Sequence, residues 1–237
     1  MIKVDFDRMF EYENGFYLTS SVDRISKFAT HLELYRKVSG LAGDIVECGV
    51  FKGASLSRFI KFRSLLENPF SKKIVAFDTF GEFPEATYGP DVKKRELFVK
   101  EAGSVSIDRE SLIGILEKLN LNQNVELVKG DILETVPRYV ADNPHLKISL
   151  LHIDVDLYEP TKVCLERLCP LVVEGGIVIL DDFGAFAGAN KAIDEYFADQ
   201  DIEIRKLPYS MAISYVEMRR KRKKGRDGKK KSAYEKV

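Results

Sequence analysis

Two short apolar runs of the sequence end abruptly in aspartates. Residues 150–153 lead into Asp154, and residues 177–180 lead into Asp181 and Asp182. Runs without helical spacing are typical of strands buried on both faces, as in a parallel sheet. Buried carboxylates need a cation, a donor or water, and ligands of open α/β sheets bind at the carboxyl ends of the strands. We therefore expect these three acids to share one ligand site, whose oxygen donors suit Mg²⁺.

Helix capping is the alternative explanation, because a helical stretch follows each run. A capping role would account for Asp156, or for one member of the pair at 181 and 182, without any ligand. It does not account for all three acids at the ends of two buried strands. We interpret the cluster as functional.

A glycine-spaced turn follows the first predicted strand, with Glu47, Gly49 and Gly53 in the pattern Glu-x-Gly-x-x-x-Gly. Glycines allow a close approach of backbone to ligand, but the spacing differs from that of dinucleotide-binding turns. Asp78 ends the second strand, where an acid can accept from ribose hydroxyls, and Asp131 follows the third, where it could accept from an adenine amino group. A glycine turn flanked by acids, without basic residues to bind phosphate, fits a positively charged nucleoside such as S-adenosylmethionine.

Length and composition indicate one soluble domain. The 237 residues, 45% of them hydrophobic, can bury a full core, and no apolar run is long enough to span a membrane. The amino terminus lacks the pattern of a signal peptide. The three cysteines, Cys48, Cys164 and Cys169, are odd in number and lack the spacing of a zinc site, so we expect them to be reduced core residues. We expect a cytoplasmic protein without a membrane partner.

The net charge of zero conceals an acidic body and a basic tail. From residue 219 onward, 11 basic residues face 2 acidic ones, whereas the preceding residues hold 26 basic and 35 acidic ones. We expect residues 219–237 to be a disordered, solvated tail. Contact of the tail with RNA or another polyanion is the alternative, but the tail lacks interleaved aromatics and the body would repel phosphates. Nucleic acid is therefore not an expected partner.

The remaining patterns predict the elements that position these residues. Residues 1–40 are predicted to form an aromatic-rich arm and a helix, which act as a lid or as the contact between copies in a homo-oligomer. The apolar face of the helix holds Val22, Ile25, Phe28 and Tyr35. Five buried strands then alternate with helices, and the alternating segments 202–207 and 211–218 suggest a terminal hairpin. The prediction is a doubly wound α/β domain over 41–218, with a mostly parallel seven-stranded sheet and helices on both faces.

Four ordered motifs within residues 40–218 resemble the macrocin-type (TylF/MycF-like) O-methyltransferases. They are VECGVFKG at 46–53, AFDTFGEFPE at 76–85, HIDVDLYEPTK at 152–162 and GGIVILDDFG at 175–184. The resemblance implies a Rossmann-like class I methyltransferase that uses S-adenosylmethionine and Mg²⁺ to methylate a hydroxyl of a sugar or glycosylated natural product.

The resemblance also implies roles for individual positions. The metal ligands would be Asp154, Asp181 and Asp182, with Asp154 also catalytic, and the segments that hold the methyl donor contain Glu47, Gly49, Phe51, Gly53, Ser55, Asp78 and Asp131. The family's catalytic-base histidine has no clear match. Among the three histidines only His152 lies near the site, as a candidate base or as a core residue.

Three other functions fit parts of the pattern. A catechol-type O-methyltransferase would use the same acids and the same ion, because a catechol and a sugar both offer vicinal oxygens. An aromatic clamp for a catechol could come from Phe51, Phe80, Phe83, Tyr88, Tyr158 and Phe183, which could equally be core residues. An RNA methyltransferase would use the basic tail, and a catalytically idle scaffold would not need the acids.

Overall fold

The computed structural model describes residues 4–219, in which strands and helices alternate. The helices are α1 (Met9–Thr19), α2 (Val22–Val38), α3 (Ala54–Leu66), α4 (Gly89–Ala102), α5 (Arg109–Lys118), α6 (Ile132–Asp142), α7 (Tyr158–Leu168) and α8 (Ala187–Phe197). The strands are β1 (Asp44–Cys48), β2 (Ile74–Asp78), β3 (Val125–Lys129), β4 (Ile148–Ile153), β5 (Val172–Leu180) and β6 (Ser214–Glu217).

The strands form one sheet in the order β3-β2-β1-β4-β5-β6. The first five strands are parallel, and β6 pairs with β5 in the antiparallel direction. The strand order reverses between β1 and β4, which is where a doubly wound sheet opens a crevice for ligands. The predicted α/β architecture is confirmed.

Hydrophobic cores cover both faces of the sheet. Val46 and Leu151 belong to a core with residues of α6, α7 and α8, whereas Ile45 and Leu150 belong to a core with residues of α2, α3 and α5. Neighbouring residues of a strand face opposite sides, which explains why both sets are buried in the same strands.

The described residues form six strands rather than the predicted seven. Segment 202–207 contributes only an isolated bridge, in which the backbones of Arg205 and Tyr215 exchange two hydrogen bonds of 2.8 Å. Alternating side chains predict an extended segment, but a strand also needs continuous pairing, and this edge segment pairs at one position only.

Helix α2 is confirmed, but of its predicted buried face only Tyr35 is buried. Val22, Ile25 and Phe28 are 75%, 39% and 41% exposed. Beside Tyr35 the helix buries Ser26, Thr30, His31, Leu34 and Val38. The buried stripe mixes polar and apolar residues, so a search for apolar spacing selected the neighbouring face.

Helix α1 has no buried residue, whereas α2 packs into the core beside α3. The boundary predicted at residue 40 therefore does not separate α2 from the body. The predicted tail lies outside the described residues, except for its first residue. Within those residues no helix is long and apolar enough to cross a membrane.

Candidate active site

A cavity of about 510 Å³ opens at the carboxyl ends of the strands. Its walls come from the turn after β1, the ends of β2, β4 and β5, and the start of α6. Helices α2, α3 and α4 complete the lining through Lys27, Arg58 and Phe98, among others. A cavity of this size suits a small-molecule ligand.

Gly49 allows the turn after β1 to lie directly against the end of β4. Its φ is +90°, and an added Cβ would lie 1.7 Å from the backbone oxygen of Asp154. Only glycine can occupy this position without moving one of the two strands. The close approach brings the predicted donor turn and the predicted acidic cluster to one cavity.

Asp78 organises that turn. One carboxylate oxygen accepts from the backbone N–H groups of Val50 and Phe51, at 2.8 and 3.0 Å. The other accepts from the N–H of Phe80 and the hydroxyl of Ser106, both at 2.7 Å. Asp78 lines the cavity, but four donors of the protein already use most of its acceptor capacity.

The other predicted donor-site residues lie at different depths. Phe51 and Ser55 line the cavity beside Gly49, whereas Gly53 lies behind the lining as the N-cap residue of α3. Asp131 lines the cavity and also caps α6, because its Oδ1 accepts from the N–H of Leu133 at 2.9 Å.

Three carboxylates come together on the cavity floor. Asp154, Asp156 and Asp182 each offer an oxygen, and the three atoms lie within 4.8 Å of one another. Asp182 accepts from the N–H groups of Val155 and Asp156, at 3.1 and 2.8 Å, which fixes the loop after β4. Asp156 adopts a left-handed φ of 61°, a strained conformation for a non-glycine residue.

Helix capping does not explain these acids. The N-cap residues of α7 and α8 are Leu157 and Phe186, and neither makes a side-chain capping hydrogen bond. The acids therefore face the cavity without a capping role.

The carboxylate cluster holds more acidic groups than the neighbouring ammonium of Lys27 can neutralise. Burial and the nearby Asp181 raise the pKa of Asp154 to about 6. Burial and Asp154 raise the pKa of Asp156 to about 7. Burial and Asp156 raise the pKa of Asp182 well above its ordinary value. A cation among the three oxygens would favour their ionised forms.

Asp181 is held apart from this cluster by Lys27. The ammonium of Lys27 lies 2.6 Å from Oδ2 of Asp181 and 3.7 Å from Oδ2 of Asp154. Although burial opposes ionisation, His152 and Lys27 keep the pKa of Asp181 below its ordinary value. The group of three carboxylates within 4.8 Å of one another thus contains Asp156 rather than Asp181, and the metal-ligand role of Asp181 remains a prediction.

Glu47 and His152 lie behind the cavity and do not line it. They are neighbours in the β1–β4 register, both are fully buried, and Nδ1 of His152 is 3.0 Å from Oε1 of Glu47. Burial alone would lower the pKa of His152, but the neighbouring carboxylates of Asp181 and Glu47 raise it to about 9. This geometry supports neither a donor contact for Glu47 nor a direct base role for His152.

Asp91 was missed by the sequence analysis, although it holds the wall formed by α4. It is fully buried, and its two oxygens accept from the N–H of Tyr158 at 3.2 Å and that of Gly188 at 2.7 Å. These N–H groups belong to the first turns of α7 and α8, where a negative charge is favourable. A Cβ on Gly188 would lie 1.9 Å from Asp91, so that position also requires glycine.

Lys27, His31 and Arg58 were also missed. A usable signal existed for the first two, because Lys27 and His31 are four residues apart and so share one face of α2. The side chain of Arg58 lines the cavity and makes no hydrogen bond or ion pair with other residues in the range 4–219. Nothing in its local sequence distinguishes it from a solvated arginine.

Comparison with known proteins places these features in a family. The profile of the macrocin O-methyltransferase (TylF) family matches residues 21–208. The 8-demethyl-8-(2,3-dimethoxy-alpha-L-rhamnosyl)-tetracenomycin-C 4'-O-methyltransferase of Streptomyces olivaceus is 29% identical over 159 residues, which are 66% of this chain and 59% of that protein. The demethyldecarbamoylnovobiocin O-methyltransferase of Streptomyces niveus is 28% identical over 168 residues, 69% of this chain and 62% of that protein. The chain thus spans about 60% of the length of these relatives.

Solved structures show the same architecture. A calicheamicin methyltransferase has a TM-score of 0.73 and 28% identity, covering 91% of this chain and 86% of its own. An apo structure of that protein, a TDP-rhamnose 3'-O-methyltransferase of calicheamicin biosynthesis, has a TM-score of 0.65 and 29% identity, covering 91% of this chain and 87% of its own. The predicted class I methyltransferase fold is confirmed.

Proposed function

Because the chain belongs to the macrocin O-methyltransferase (TylF) family, we propose that it transfers a methyl group from S-adenosylmethionine to a hydroxyl of a sugar. The observation that carries this proposal is the meeting of the glycine turn and the carboxylate cluster in one cavity of about 510 Å³. The methyl donor and the acceptor hydroxyl must lie side by side, and this cavity has a wall suited to each.

The residues of the turn side fit S-adenosylmethionine. Phe51, Phe83 and Phe98 form an aromatic wall, with ring centroids 5.4 and 5.6 Å apart for the two contacting pairs. Such a wall suits adenine, and the second oxygen of Asp131 is open to a polar group. The guanidinium of Arg58 has no partner among residues 4–219 and lies on α3 one turn after Ala54, so it suits the donor's carboxylate.

The carboxylate side fits a divalent cation. The oxygens of Asp154, Asp156 and Asp182 form an all-oxygen donor set, which is the chemistry that Mg²⁺ prefers. The sequence-predicted Asp181 pairs with Lys27 through Oδ2 and remains a further candidate ligand. We therefore assign Asp154 and Asp182 as ligands on both sequence and distance, with Asp156 as the third.

In this proposal the chain positions the acceptor and handles its proton. When bound, S-adenosylmethionine supplies the methyl group, and the cation supplies positive charge that lowers the pKa of the acceptor hydroxyl. The carboxylates fix the attacking oxygen beside the donor, which lowers the entropic cost of the reaction. The cluster also takes up the hydroxyl proton. Lys27 neutralises Asp181, and α4 limits the access of water.

Basic side chains on the cavity wall favour an acceptor that carries phosphate. Arg24, Lys52, Arg58 and Lys94 line the cavity in addition to Lys27. The structurally similar calicheamicin enzyme is a TDP-rhamnose methyltransferase. We propose a nucleotide-linked sugar as the acceptor, since its diphosphate would meet Arg24, Lys52 and Lys94, whereas a neutral glycoside or a catechol would not.

Methyl-transfer assays test the proposal. We expect turnover on nucleotide-linked sugars to exceed turnover on neutral glycosides and catechols, to disappear with excess EDTA and to return with Mg²⁺. Asp182→Asn should lower the rate on the order of a thousandfold by loss of ion positioning. Asp199→Asn is the control, because that acid is exposed and lies outside the cavity lining. Undiminished turnover in EDTA would remove the ion from the mechanism.

A further inference from the structure

Three metal-ligating side chains meet behind the cavity floor. Nε2 of His152 lies 3.5 Å from Oδ1 of Asp181, and Nε2 of His31 lies 3.9 Å from the same oxygen. All three side chains are buried, and their ligand atoms lie within 4.8 Å of one another. Neighbouring ligands of a tetrahedral ion bound at about 2.1 Å are roughly 3.4 Å apart, so these separations suit such an ion.

The same atoms lack hydrogen-bond partners. Both ring nitrogens of His31, Nε2 of His152 and Oδ1 of Asp181 are buried without a partner in the part of the chain that the structure describes. Buried polar atoms are normally paired, because an unpaired group keeps its full desolvation cost. One such atom from each residue, namely Nε2 of His31, Nε2 of His152 and Oδ1 of Asp181, faces the other two, and a shared cation would satisfy all three.

Glu47 adds the support that a metal-binding histidine usually has. It lies 3.0 Å from Nδ1 of His152. With the Nδ1 proton donated to Glu47, the lone pair of Nε2 points toward Asp181. Metal-ligating histidines commonly have this carboxylate partner, which fixes the tautomer and the ring orientation.

The local charges leave room for a second cation. Five carboxylates surround the cavity floor, counting Glu47, Asp181 and the three members of the cluster, against the two partly buried cations Lys27 and Arg58 and a proton on His152. A cation bound to Nε2 of His152 would replace that proton. The position behind Asp181 is where additional positive charge has ligands.

We propose that His31, His152 and Asp181 form a second cation site that binds a divalent transition metal such as Zn²⁺ in preference to Mg²⁺. Imidazole ligands select such metals, whereas the all-oxygen cluster in front selects hard cations. Asp181 lines the cavity, so an ion can reach the histidines from that side. The bound ion would fix α2 to β4 and to the end of β5, and would hold Asp181 in place.

The test is metal binding by the full chain, measured apart from turnover. After chelation, dialysis and reloading with Zn²⁺ or Co²⁺, we expect one equivalent that excess Mg²⁺ does not displace, with a Co²⁺ absorption spectrum typical of nitrogen ligands. His31→Gln and His152→Gln should lose that equivalent. His145→Gln is the matched control, because His145 is exposed and is the chain's other histidine.

Two further variants separate this site from the carboxylate cluster. Asp156→Asn should retain the transition metal, because it leaves both histidines and Asp181 intact. Glu47→Gln should weaken metal binding about 10- to 100-fold by removing the partner of His152. Retention of metal by Glu47→Gln at full affinity would contradict the proposed geometry.

If a histidine variant does not fold, NMR of the wild-type chain tests metal binding directly. Titration with Zn²⁺ should shift the ¹⁵N resonances of Nε2 in His31 and His152 and leave those of His145 unchanged. No uptake and no shift would overturn the proposal. A protonated His152 between Glu47 and Asp181 would then account for the geometry. That result would leave Mg²⁺-dependent methyl transfer untouched.

Discussion

At the residue scale, the cavity depends on Gly49. Gly49→Ala would place a methyl group 1.7 Å from the backbone oxygen of Asp154 and would force β1 and β4 apart. We expect a loss of more than about 3 kcal/mol in the free energy of unfolding, together with loss of donor binding. Urea unfolding and calorimetry with S-adenosylhomocysteine measure the two effects.

Gly114→Ala is the matched control for that change. Gly114 is exposed in α5, and nothing lies within 4 Å of an added Cβ. This substitution should stabilise the protein by about 0.5–1 kcal/mol, because alanine favours helix more than glycine. Equal effects of the two substitutions would show that the contact of Gly49 with Asp154 is not restrictive.

The carboxylate cluster makes stability depend on pH. Because the pKa values of Asp154 and Asp156 are raised to about 6 and about 7, folding favours their protonated forms. Their contribution to stability is present below the unfolded-state pKa of about 4 and is lost as the pH rises through the folded-state values. Mg²⁺ should therefore raise Tm more at about pH 8 than at about pH 5.

Thermal unfolding with and without Mg²⁺ at the two pH values checks this sign. In Asp156→Asn the increment should shrink, because one of the repelling carboxylates is gone. An increment that is the same at both pH values would mean that Mg²⁺ does not bind these acids.

At the element scale, α4 is secured by one buried acid. Asp91→Ala would leave the N–H groups of Tyr158 and Gly188 without their acceptor. We expect a loss of about 2–4 kcal/mol in the free energy of unfolding and weaker binding of S-adenosylhomocysteine, because α4 forms a cavity wall. Glu96→Ala, at an exposed position of the same helix, should change neither quantity.

Sequence patterns predicted the elements whose signals are local. Strand β2 was predicted to end at Asp78, as observed, because four apolar residues precede that acid. The same strand-end argument located Asp154 and Asp182. The grouping of Asp156 with them was not predictable, because it depends on the strained turn after β4. Asp91 and Arg58 were not predictable either, since their partners or their cavity come from elements distant in sequence.

The sequence also does not show how many hydrogen bonds a predicted site residue already makes within the protein. The end of β2 correctly suggested an acid beside the donor turn. The sequence could not show that Asp78 already accepts from Val50, Phe51, Phe80 and Ser106. Its predicted contact with the donor ribose remains a prediction.

At the scale of the whole molecule, the basic tail and the folded body are separable in the sequence. Residues 219–237 carry 11 basic and 2 acidic side chains, and β6 ends before them at Glu217. Truncation after Met218 should leave Tm and turnover on a small acceptor nearly unchanged. It should also weaken retention on heparin and flatten its salt dependence, because fewer counterions are released on binding.

Paired kinetics and heparin chromatography across a salt series check this division. Loss of small-acceptor turnover after truncation would place the tail in the active enzyme, as a lid or an interface. The oligomer contact predicted for the amino-terminal arm also remains a prediction. It would use exposed side chains of α1, such as Phe10 and Tyr17, and light scattering of the full chain measures it.

Asp91 also determines how the cavity wall can loosen. One carboxylate accepts from α7 through one oxygen and from α8 through the other, so withdrawal of Asp91 would free both N–H groups at once. We therefore expect the wall to open as a single cooperative unit. The amide protons of Tyr158 and Gly188 would exchange with solvent through one shared opening event, at a common rate, even though they lie 30 residues apart in the sequence.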